Sequence, residues 1–244
     1  MCTLEKRGRV FVLTLTGPGE HRLSQTLIDS LRSALSHVRS ASPSSSALVT
    51  TSSSNSRFFS NGFDLPWARS TPTSASATAR LRLMGTAFTP LIADLLSLPM
   101  PTIAAVTGHA AAAGFLLALC HDHILMRSDR GFLYMTELDI GLPLPESFMG
   151  VLRSKIGSPR ARVEVLLRAR KVKAAEAVEM GIVEEAHEGA EATSEAAVRL
   201  GEELAGKGWD GEVYASIRKC SFPEACVAVG VSMEVEPRMI QPKL

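Results

Sequence analysis

Two segments of the chain combine residue types that could bring a ligand close to backbone amides. The first, Phe58–Leu65, is a loop built around Gly62. The second, Pro101–Gly114, ends in the small-residue run Ala110–Gly114, where we predict that a helix begins. The first amides of a helix have no intrahelical partner, and small side chains let a bound group approach them. Taken singly, the glycine indicates a simple turn and the alanines indicate tight helix packing.

The histidines give weaker indications of chemistry. His109 adjoins the alanine run, where a packed side chain is favoured over one that transfers protons. His121-Asp122-His123 has metal-binding side chains, but its spacing is typical of a helix-to-strand junction and no third cluster of ligands accompanies it. We therefore predict no metal site.

Strand and helix patterns alternate along the chain, which predicts an α/β fold. Strands are predicted at 10–16, 47–51, 102–106 and 123–126. Helices are predicted at 24–38 with Ser24 as the N-cap, and at 81–98, 112–120, 160–167, 173–179, 194–204 and from 212. Turns or loops are predicted at 17–19, 40–46 and 58–64, and a mobile Ser/Thr-rich stretch at 69–79.

Composition excludes several classes of protein. The 244 residues carry a formal net charge of +1, with 45% hydrophobic and 21% charged residues, so a nucleic-acid-binding surface is not expected. The longest apolar run, Ala110–Cys120, is shorter than the roughly 20 residues that cross a bilayer, so we predict no membrane span. Dinucleotide-binding and P-loop motifs are absent, and the four cysteines are predicted to be free thiols.

The two segments resemble motifs of the crotonase (enoyl-CoA hydratase/isomerase) superfamily. Phe58–Leu65 resembles its Phe-Ser-x-Gly-x-Asp-Leu loop, and Pro101–Gly114 resembles its Pro-x-Ile-Ala-Ala-Val-x-Gly segment. Gly181-Ile182-Val183 resembles a later strand of that family, and the whole chain resembles plant peroxisomal Δ3,Δ2-enoyl-CoA isomerases. The resemblance implies a crotonase-type ββα spiral of two roughly perpendicular sheets, with a C-terminal helical trimerisation region.

The resemblance also implies a binding site for an acyl-CoA thioester. The amides of Phe63 and Ala113 would stabilise the thioester oxygen when it becomes negatively charged, and Arg22 would meet the CoA phosphates unless it is simply solvated. For Asp64 we expect a hydrogen bond within its own loop. The remaining residues assigned to substrate binding are Ser60, Asn61, Gly62, Leu65 and Gly114.

The carboxylates distinguish between reactions of this superfamily. Hydratases of the family carry two glutamates; here Leu116 occupies the first position and Glu137 the second. One carboxylate suffices to remove a proton from C2 of a 3-enoyl-CoA and return it at C4, whereas hydration also needs a group that orients water. We therefore expect a Δ3,Δ2-enoyl-CoA isomerase that acts in β-oxidation of unsaturated fatty acids and needs no metal or redox cofactor, because CoA enters as part of the substrate.

Several alternatives remain open at this stage. Glu146, and less so Asp139, could serve as the base in place of Glu137. The reaction could instead be that of an enoyl-CoA hydratase, a dienoyl-CoA isomerase or an acyl-CoA hydrolase. A catalytically silent CoA-binding scaffold is a further possibility.

The organisation expected is a single domain with a spiral core at 1–192 and a C-terminal helical region at 193–244. The tail Pro242-Lys243-Leu244 resembles the Ser-Lys-Leu address, which predicts recognition by the peroxisomal import receptor and a peroxisomal location. A homotrimer is expected from the resemblance alone.

Overall fold

A computed structural model describes residues 1–17, 20–41 and 45–233, which form two sheets covered by helices. The larger sheet has the strand order β1-β2-β3-β5-β7-β9 and the smaller has the order β4-β6-β8. Neighbouring strands are parallel except for β1 and β2. The strands are β1 (Cys2–Arg7), β2 (Val10–Leu15), β3 (Ala47–Ser52), β4 (Phe58–Ser60), β5 (Thr102–Val106), β6 (His109–Ala111), β7 (His123–Arg127), β8 (Leu133–Tyr134) and β9 (Glu185–His187).

The helices lie between and after these strands. They are α1 (Gln25–Ala41), α2 (Leu65–Arg69), α3 (Ser74–Leu96), α4 (Ala113–Leu119), α5 (Glu146–Lys155), α6 (Pro159–Arg162), α7 (Ala174–Glu179), α8 (Ala190–Gly206), α9 (Gly211–Ser221) and α10 (Pro223–Ala228). A π-helical turn, Val163–Leu167, continues α6. Within the described ranges, no helix combines the length and apolar character needed to cross a membrane.

Both faces of the larger sheet are buried. Helix α8 covers one face through Ala196, Ala197 and Ala205, which pack against valines such as Val10 and Val49. The other face, which includes Leu13, Leu48 and Val106, packs with apolar residues of α1, α3 and α4. Burial on both faces explains why Ile103–Val106 of β5 is a continuous apolar run rather than an alternation.

The smaller sheet gathers segments that are distant in sequence. Its three strands are parallel, with Phe58 opposite His109 and Ala111 opposite Tyr134, so the chain segments that follow them leave from the same edge. Two glycines allow the strands and α4 to approach closely. A Cβ added to Gly108 would lie 2.5 Å from the backbone oxygen of Arg57, and one added to Gly114 would lie 2.3 Å from the backbone oxygen of Ser60. Residues 61–64, 112–113 and 135–141 therefore share one edge of this sheet.

The α/β prediction is confirmed, and the four predicted strands are present. The helix predicted at 24–38 is α1, and the Ser24 hydroxyl accepts a hydrogen bond from the Leu27 amide at 3.3 Å as an N-cap does. Other predicted helices are present with shifted ends. Residues 18–19, part of the 40–46 loop and the 242–244 tail lie outside the described residues.

Some local predictions were wrong. Most of the 69–79 stretch is helical, because α3 begins at Ser74 where the Thr73 hydroxyl caps the Ser76 amide. Gly181-Ile182-Val183 forms a turn, and the strand there is β9. Part of the 58–64 loop is strand β4, and the helix predicted at 194–204 is α8, which begins earlier, at Ala190. Elements that the patterns did not predict are β1, β6, β8, α2, α5 and α10.

Candidate active site

The amide of Phe63 lies in the loop that follows β4. The Leu23 amide donates to the Gly62 oxygen at 2.7 Å, which holds the peptide plane between Gly62 and Phe63. In a trans peptide the N–H and the C=O point in opposite directions, so the Phe63 N–H points away from Leu23. Within the described residues this N–H has no hydrogen-bond acceptor. It is available to a ligand.

The amide of Ala113 begins α4, directly after β6. The amide of its neighbour Ala112 donates to the backbone oxygen of Tyr134 at 2.9 Å, and the backbone oxygen of Ala112 accepts from the Phe115 and Leu116 amides. No acceptor for the Ala113 amide is present in the described part of the chain. Ala112 has φ 50° and ψ −123°, outside the left-handed region that L-residues tolerate, which costs roughly 1–3 kcal/mol. Sequence reasoning missed this strain, because an alanine carries no signal of a positive φ.

The two amides are carried by segments in contact with each other. A Cβ added to Gly62 would lie 2.9 Å from the Ala111 oxygen and 3.3 Å from the Ala113 nitrogen. Gly62 has φ 69°, a second reason why this position favours glycine. The structure therefore brings together the two segments whose amides were predicted from separate motifs.

The side chains of the loop are engaged within the protein. The Ser60 hydroxyl donates to the His21 oxygen at 2.7 Å, and the Asn61 side chain donates to Glu20 at 2.7 Å. The Asp64 carboxylate accepts from the Trp67 amide at 3.1 Å and caps α2, which confirms the hydrogen bond expected within its own loop. Direct substrate contacts by Ser60, Asn61, Asp64, Leu65 and Gly114 stay predictions.

Arg22 contacts the same loop. Its guanidinium pairs with Glu20 at 2.5 Å and donates to the Phe63 oxygen at 3.3 Å. The side chain is thus tied to the loop, and its predicted contact with CoA phosphates stays a prediction. The role of Glu20 was missed by sequence reasoning; its only signal was an acidic residue two positions before Arg22.

Glu137 follows β8 in a turn; the residue is half-buried, and its Oε2 atom is buried. Its Oε2 has no hydrogen-bond partner. Burial raises the pKa of this carboxyl group, and hydrogen bonds to the backbone of Glu137 and Thr136 offset only part of that effect. The Tyr134 oxygen that binds the Ala112 amide is three residues earlier, so the chain places Glu137 within about 10 Å of that bond.

A cavity of about 500 Å³ adjoins Glu137. Two arginines in its wall are held by other groups: Arg153 pairs with Glu146 and Glu224, and Arg162 donates to the Ile156 oxygen at 2.6 Å. The apolar residues of the wall come from the turn after β8, from α5 and from the π-helical turn, and are Met135, Leu138, Leu142, Leu144, Met149, Val163, Leu166 and Leu167. An apolar wall explains why the Glu137 carboxyl group is desolvated.

The competing carboxylates are placed differently. Asp139 is exposed in the 137–141 turn, so the strand-like alternation that would put it beside Glu137 is absent. Glu146 begins α5, is 70% exposed and pairs with Arg153. Leu116 is fully buried, so that position of α4 supplies no second carboxylate. Among the three candidate bases, Glu137 is the one with a buried oxygen that lacks a hydrogen-bond partner.

The histidines have structural surroundings. His109 packs between the rings of Phe58 and Phe132 at the opposite end of β6 from Ala113, and burial, with Arg57, Arg130 and Lys171, lowers its pKa. The three side chains of His121-Asp122-His123 bind separate partners, which are Thr50, Arg218 and Glu184. Residues 1–17, 20–41 and 45–233 contain no cluster of three or more metal-binding side chains.

Comparison with known proteins identifies the family of this chain. The profile of the enoyl-CoA hydratase/isomerase family matches residues 5–215. The peroxisomal enoyl-CoA delta isomerase 2 of Arabidopsis thaliana is 52% identical over 96% of this chain and 98% of its own, and the peroxisomal enoyl-CoA delta isomerase 1 is 55% identical over 93% and 92%. The crystal structure of a probable enoyl-CoA hydratase from Mycobacterium tuberculosis superposes with a TM-score of 0.83 at 22% identity, over 95% of this chain and 92% of that one. This last likeness shows the fold, and the matched profile and relatives show that the chain belongs to the enoyl-CoA hydratase/isomerase family.

Proposed function

We propose that this protein is a Δ3,Δ2-enoyl-CoA isomerase that converts 3-enoyl-CoA to 2-trans-enoyl-CoA in the β-oxidation of unsaturated fatty acids. The observation that carries the proposal is the Glu137 carboxylate, whose Oε2 is buried without a partner and which lies in the wall of a mostly apolar cavity. Leu116 leaves the other carboxylate position of the family's hydratases apolar. Two relatives at 52% and 55% identity are named enoyl-CoA delta isomerases.

The amides of Phe63 and Ala113 serve as the oxyanion hole in this proposal. Removing a proton from C2 of a thioester places negative charge on the carbonyl oxygen. Two N–H groups that already point at that oxygen stabilise the charge without reorganisation, and one such donor typically contributes about 3–4 kcal/mol. The absence of protein acceptors for both amides supports this role.

Glu137 acts as both base and acid. Its carboxylate removes the C2 proton, the double bond moves into conjugation with the thioester, and the same carboxyl group returns a proton at C4. Desolvation makes the carboxylate a stronger base, and the raised pKa keeps the carboxyl group protonated long enough to act as an acid. No resident cofactor takes part in these steps, because CoA is part of the substrate.

The cavity beside Glu137 would receive the acyl chain. Its leucines and methionines give a methylene chain an apolar surface, at about 0.8 kcal/mol for each buried CH₂ group. Three wall residues, Leu138, Val163 and Leu167, are 58%, 43% and 68% exposed, and an acyl chain would cover them.

The test is to mix the purified protein with 3-hexenoyl-CoA and follow the absorbance of the conjugated 2-enoyl thioester, with mass analysis of the product. Conjugation without a change of mass is expected. A gain of one water would instead identify a hydratase, and release of free CoA would identify a hydrolase. Binding of the thioester without any reaction would favour a silent scaffold.

We also propose a peroxisomal location, recognition of the tail Pro242-Lys243-Leu244 by the import receptor, and assembly as a homotrimer. The names of the two Arabidopsis relatives support the location. A fluorescent protein fused to the N-terminus should enter peroxisomes, and deletion of the last three residues should leave it outside them. Light scattering of the purified protein should give three times the chain mass of 26.1 kDa.

A further inference from the structure

The short segment Glu20–Leu23 holds strand β4 and the loop after it. The His21 Nδ1–H donates to the oxygens of Phe58 and Phe59 at 3.0 and 3.1 Å, and the His21 oxygen accepts from the Ser60 hydroxyl. Leu23 and Arg22 continue this contact to the oxygens of Gly62 and Phe63. Each residue from 58 to 63 is therefore bound by residues 20–23. We call Glu20–Leu23 the brace.

Glu20 joins the two ends of the brace. Its Oε2 accepts from the Asn61 side chain at 2.7 Å and from Arg22 at 2.5 Å, and its backbone oxygen accepts from the Asn61 amide at 2.9 Å. Hydrogen bonds to an ionised carboxylate are shorter and roughly twice as strong as those between neutral groups. The side chain is 38% exposed, so the ion pair alone contributes little, and its directional contacts matter more.

The contacts of Glu20 bracket one peptide group. Asn61 precedes the Gly62–Phe63 peptide and is held at its amide and side chain by Glu20. The Phe63 oxygen follows that peptide and is held by Arg22, whose position depends on Glu20. Every one of these bonds goes to Asn61 or to a carbonyl, which leaves the Phe63 N–H free and fixes its direction.

We infer that Glu20 is a positioning residue for the isomerase reaction: through Asn61 and Arg22 it orients the Phe63 amide toward the substrate oxygen. This inference rests on the proposed function. It also gives Arg22 a second role, since a guanidinium that bonds to Glu20 and Phe63 acts on the loop whether or not it meets a phosphate. Glu20 itself touches no reacting atom.

The test compares kcat and KM of Glu20→Ala and Glu20→Gln with those of the unsubstituted protein, using 3-hexenoyl-CoA. Outright loss of an oxyanion donor costs about 10²–10³ in kcat, so misorientation by Glu20→Ala should lower kcat by about tenfold with KM changed by less than about twofold. Glu20→Gln keeps an acceptor for Asn61 but not the charge opposite Arg22, so its kcat should lie between the other two.

The matched control is Asp94→Ala. Asp94 is also a partly exposed carboxylate, 35% accessible, paired with an arginine, since Arg32 Nε lies 2.8 Å from Asp94 Oδ2. Its side chain bonds to Arg32 of α1 rather than to a residue of the loop, so kcat should not change. A fall in kcat for Asp94→Ala equal to that for Glu20→Ala would show that loss of a surface ion pair, rather than the brace, is responsible.

A spectroscopic measurement separates positioning from general stability. The infrared C=O stretch of bound 2-hexenoyl-CoA should shift to lower frequency in the unsubstituted protein, because the two amides polarise the carbonyl, and should return toward its value in water in Glu20→Ala. An unchanged stretch in a folded Glu20→Ala variant would overturn the inference. If Glu20→Ala does not fold, Glu20→Gln and Arg22→Met carry the same test.

The outcomes also separate this inference from the proposed function. An inactive unsubstituted protein that still shifts the carbonyl stretch would refute the isomerase while leaving the brace testable by the same shift. If the unsubstituted protein is active, and Glu20→Ala changes neither kcat nor the carbonyl stretch, the isomerase proposal stands and the role of the brace is refuted.

Discussion

Two largely buried carboxylates of this protein, Asp122 and Glu137, have opposite surroundings. Asp122 receives both Arg218 Nε and Nη2 at 2.6 Å, the Thr102 amide at 2.9 Å and the Tyr214 hydroxyl at 3.2 Å. Glu137 has an oxygen without any partner. Burial alone would raise the pKa of both, but the charge and hydrogen bonds of Arg218 leave the pKa of Asp122 lowered, whereas that of Glu137 is raised.

The difference separates a carboxylate whose pairing stabilises the fold from one whose free oxygen is available for chemistry. The Asp122–Arg218 pair anchors α9, because Arg218 also donates to the backbone oxygens of Leu98 and Met100 in the connection between α3 and β5. Both oxygens of Asp122 have hydrogen-bond partners within the protein. The region around Glu137 instead keeps an unpaired carboxylate, two free amides and a strained Ala112, all of which substrate could satisfy or exploit.

Replacing Glu137 by glutamine should have the largest effect on activity. Loss of a positioned general base typically lowers kcat by about 10²–10⁴-fold. The free energy of unfolding should not fall, because the substituted carboxylate oxygen has no partner to lose. Steady-state kinetics with 3-hexenoyl-CoA and urea unfolding measure the two quantities. Glu146→Gln is the control; a larger loss of kcat there would transfer the role of base to Glu146.

Replacing Asp122 by asparagine should lower the free energy of unfolding and leave kcat unchanged. It leaves the Arg218 charge buried and unpaired, which typically costs about 3–5 kcal/mol of stability. The kcat per folded molecule should stay unchanged, since the pair lies outside the candidate site. Urea unfolding tests this, and Asp122→Asn combined with Arg218→Met should regain part of the loss. A fall in kcat without a loss of stability would break the contrast between the two regions.

The two carboxylates should also give opposite pH dependences. The folded state raises the pKa of Glu137 above its ordinary value of 4.5, so stability falls as pH rises from that value through the raised pKa. The folded state lowers the pKa of Asp122 below 3.8, so its contribution is present above that value and lost as pH falls through the lowered pKa.

Unfolding measured across this pH range should separate the variants. The advantage of Glu137→Gln should grow with pH, and the deficit of Asp122→Asn should shrink at acidic pH. In the unsubstituted protein, kcat/KM should fall as pH drops through the raised pKa of Glu137, because the base must be ionised. A midpoint at the ordinary value of 4.5 would contradict the desolvation of this group.

Replacing Ala112 by glycine should have the smallest effect. Glycine adopts φ 50° without strain, so stability should rise by about 1 kcal/mol while kcat falls a few-fold, because the Ala113 amide becomes less constrained. Ala169, with φ 46°, is the matched control: Ala169→Gly should raise stability without changing kcat. Equal kcat in both variants would show that the strain at Ala112 has no part in holding the amide.

The sequence predicted most of the candidate site because its parts are backbone amides carried by short motifs. The loop around Gly62 and the alanine run before Gly114 specify close approach, and the missing Cβ atoms are what permit it. Glu137 was identified as a carboxylate ahead of a glycine. That its Oε2 lacks a hydrogen-bond partner could not be predicted, because the surroundings of this side chain depend on how α5 and the π-helical turn pack against it.

Other features of the fold and the site have no recognisable pattern in the sequence. Strands β6 and β8 have three and two residues, too short for an alternation to appear, yet they place the Ala113 amide and Glu137 at one edge. Strand β1 is mostly polar and exposed because it forms the edge of its sheet. The brace depends on contacts between residues about forty positions apart, such as Arg22 with Phe63, which no local window contains.

The apolar wall around Glu137 has a consequence for the fate of a deuterium label at C2 of the substrate. Its Oε2 has no hydrogen-bonded neighbour through which a captured proton could pass to water. A deuteron taken from C2 of a labelled substrate would therefore remain on the carboxyl group until it is delivered to C4. Product formed in ordinary water would carry the label at its new position, and the fraction retained would report how completely the cavity excludes solvent during a turnover.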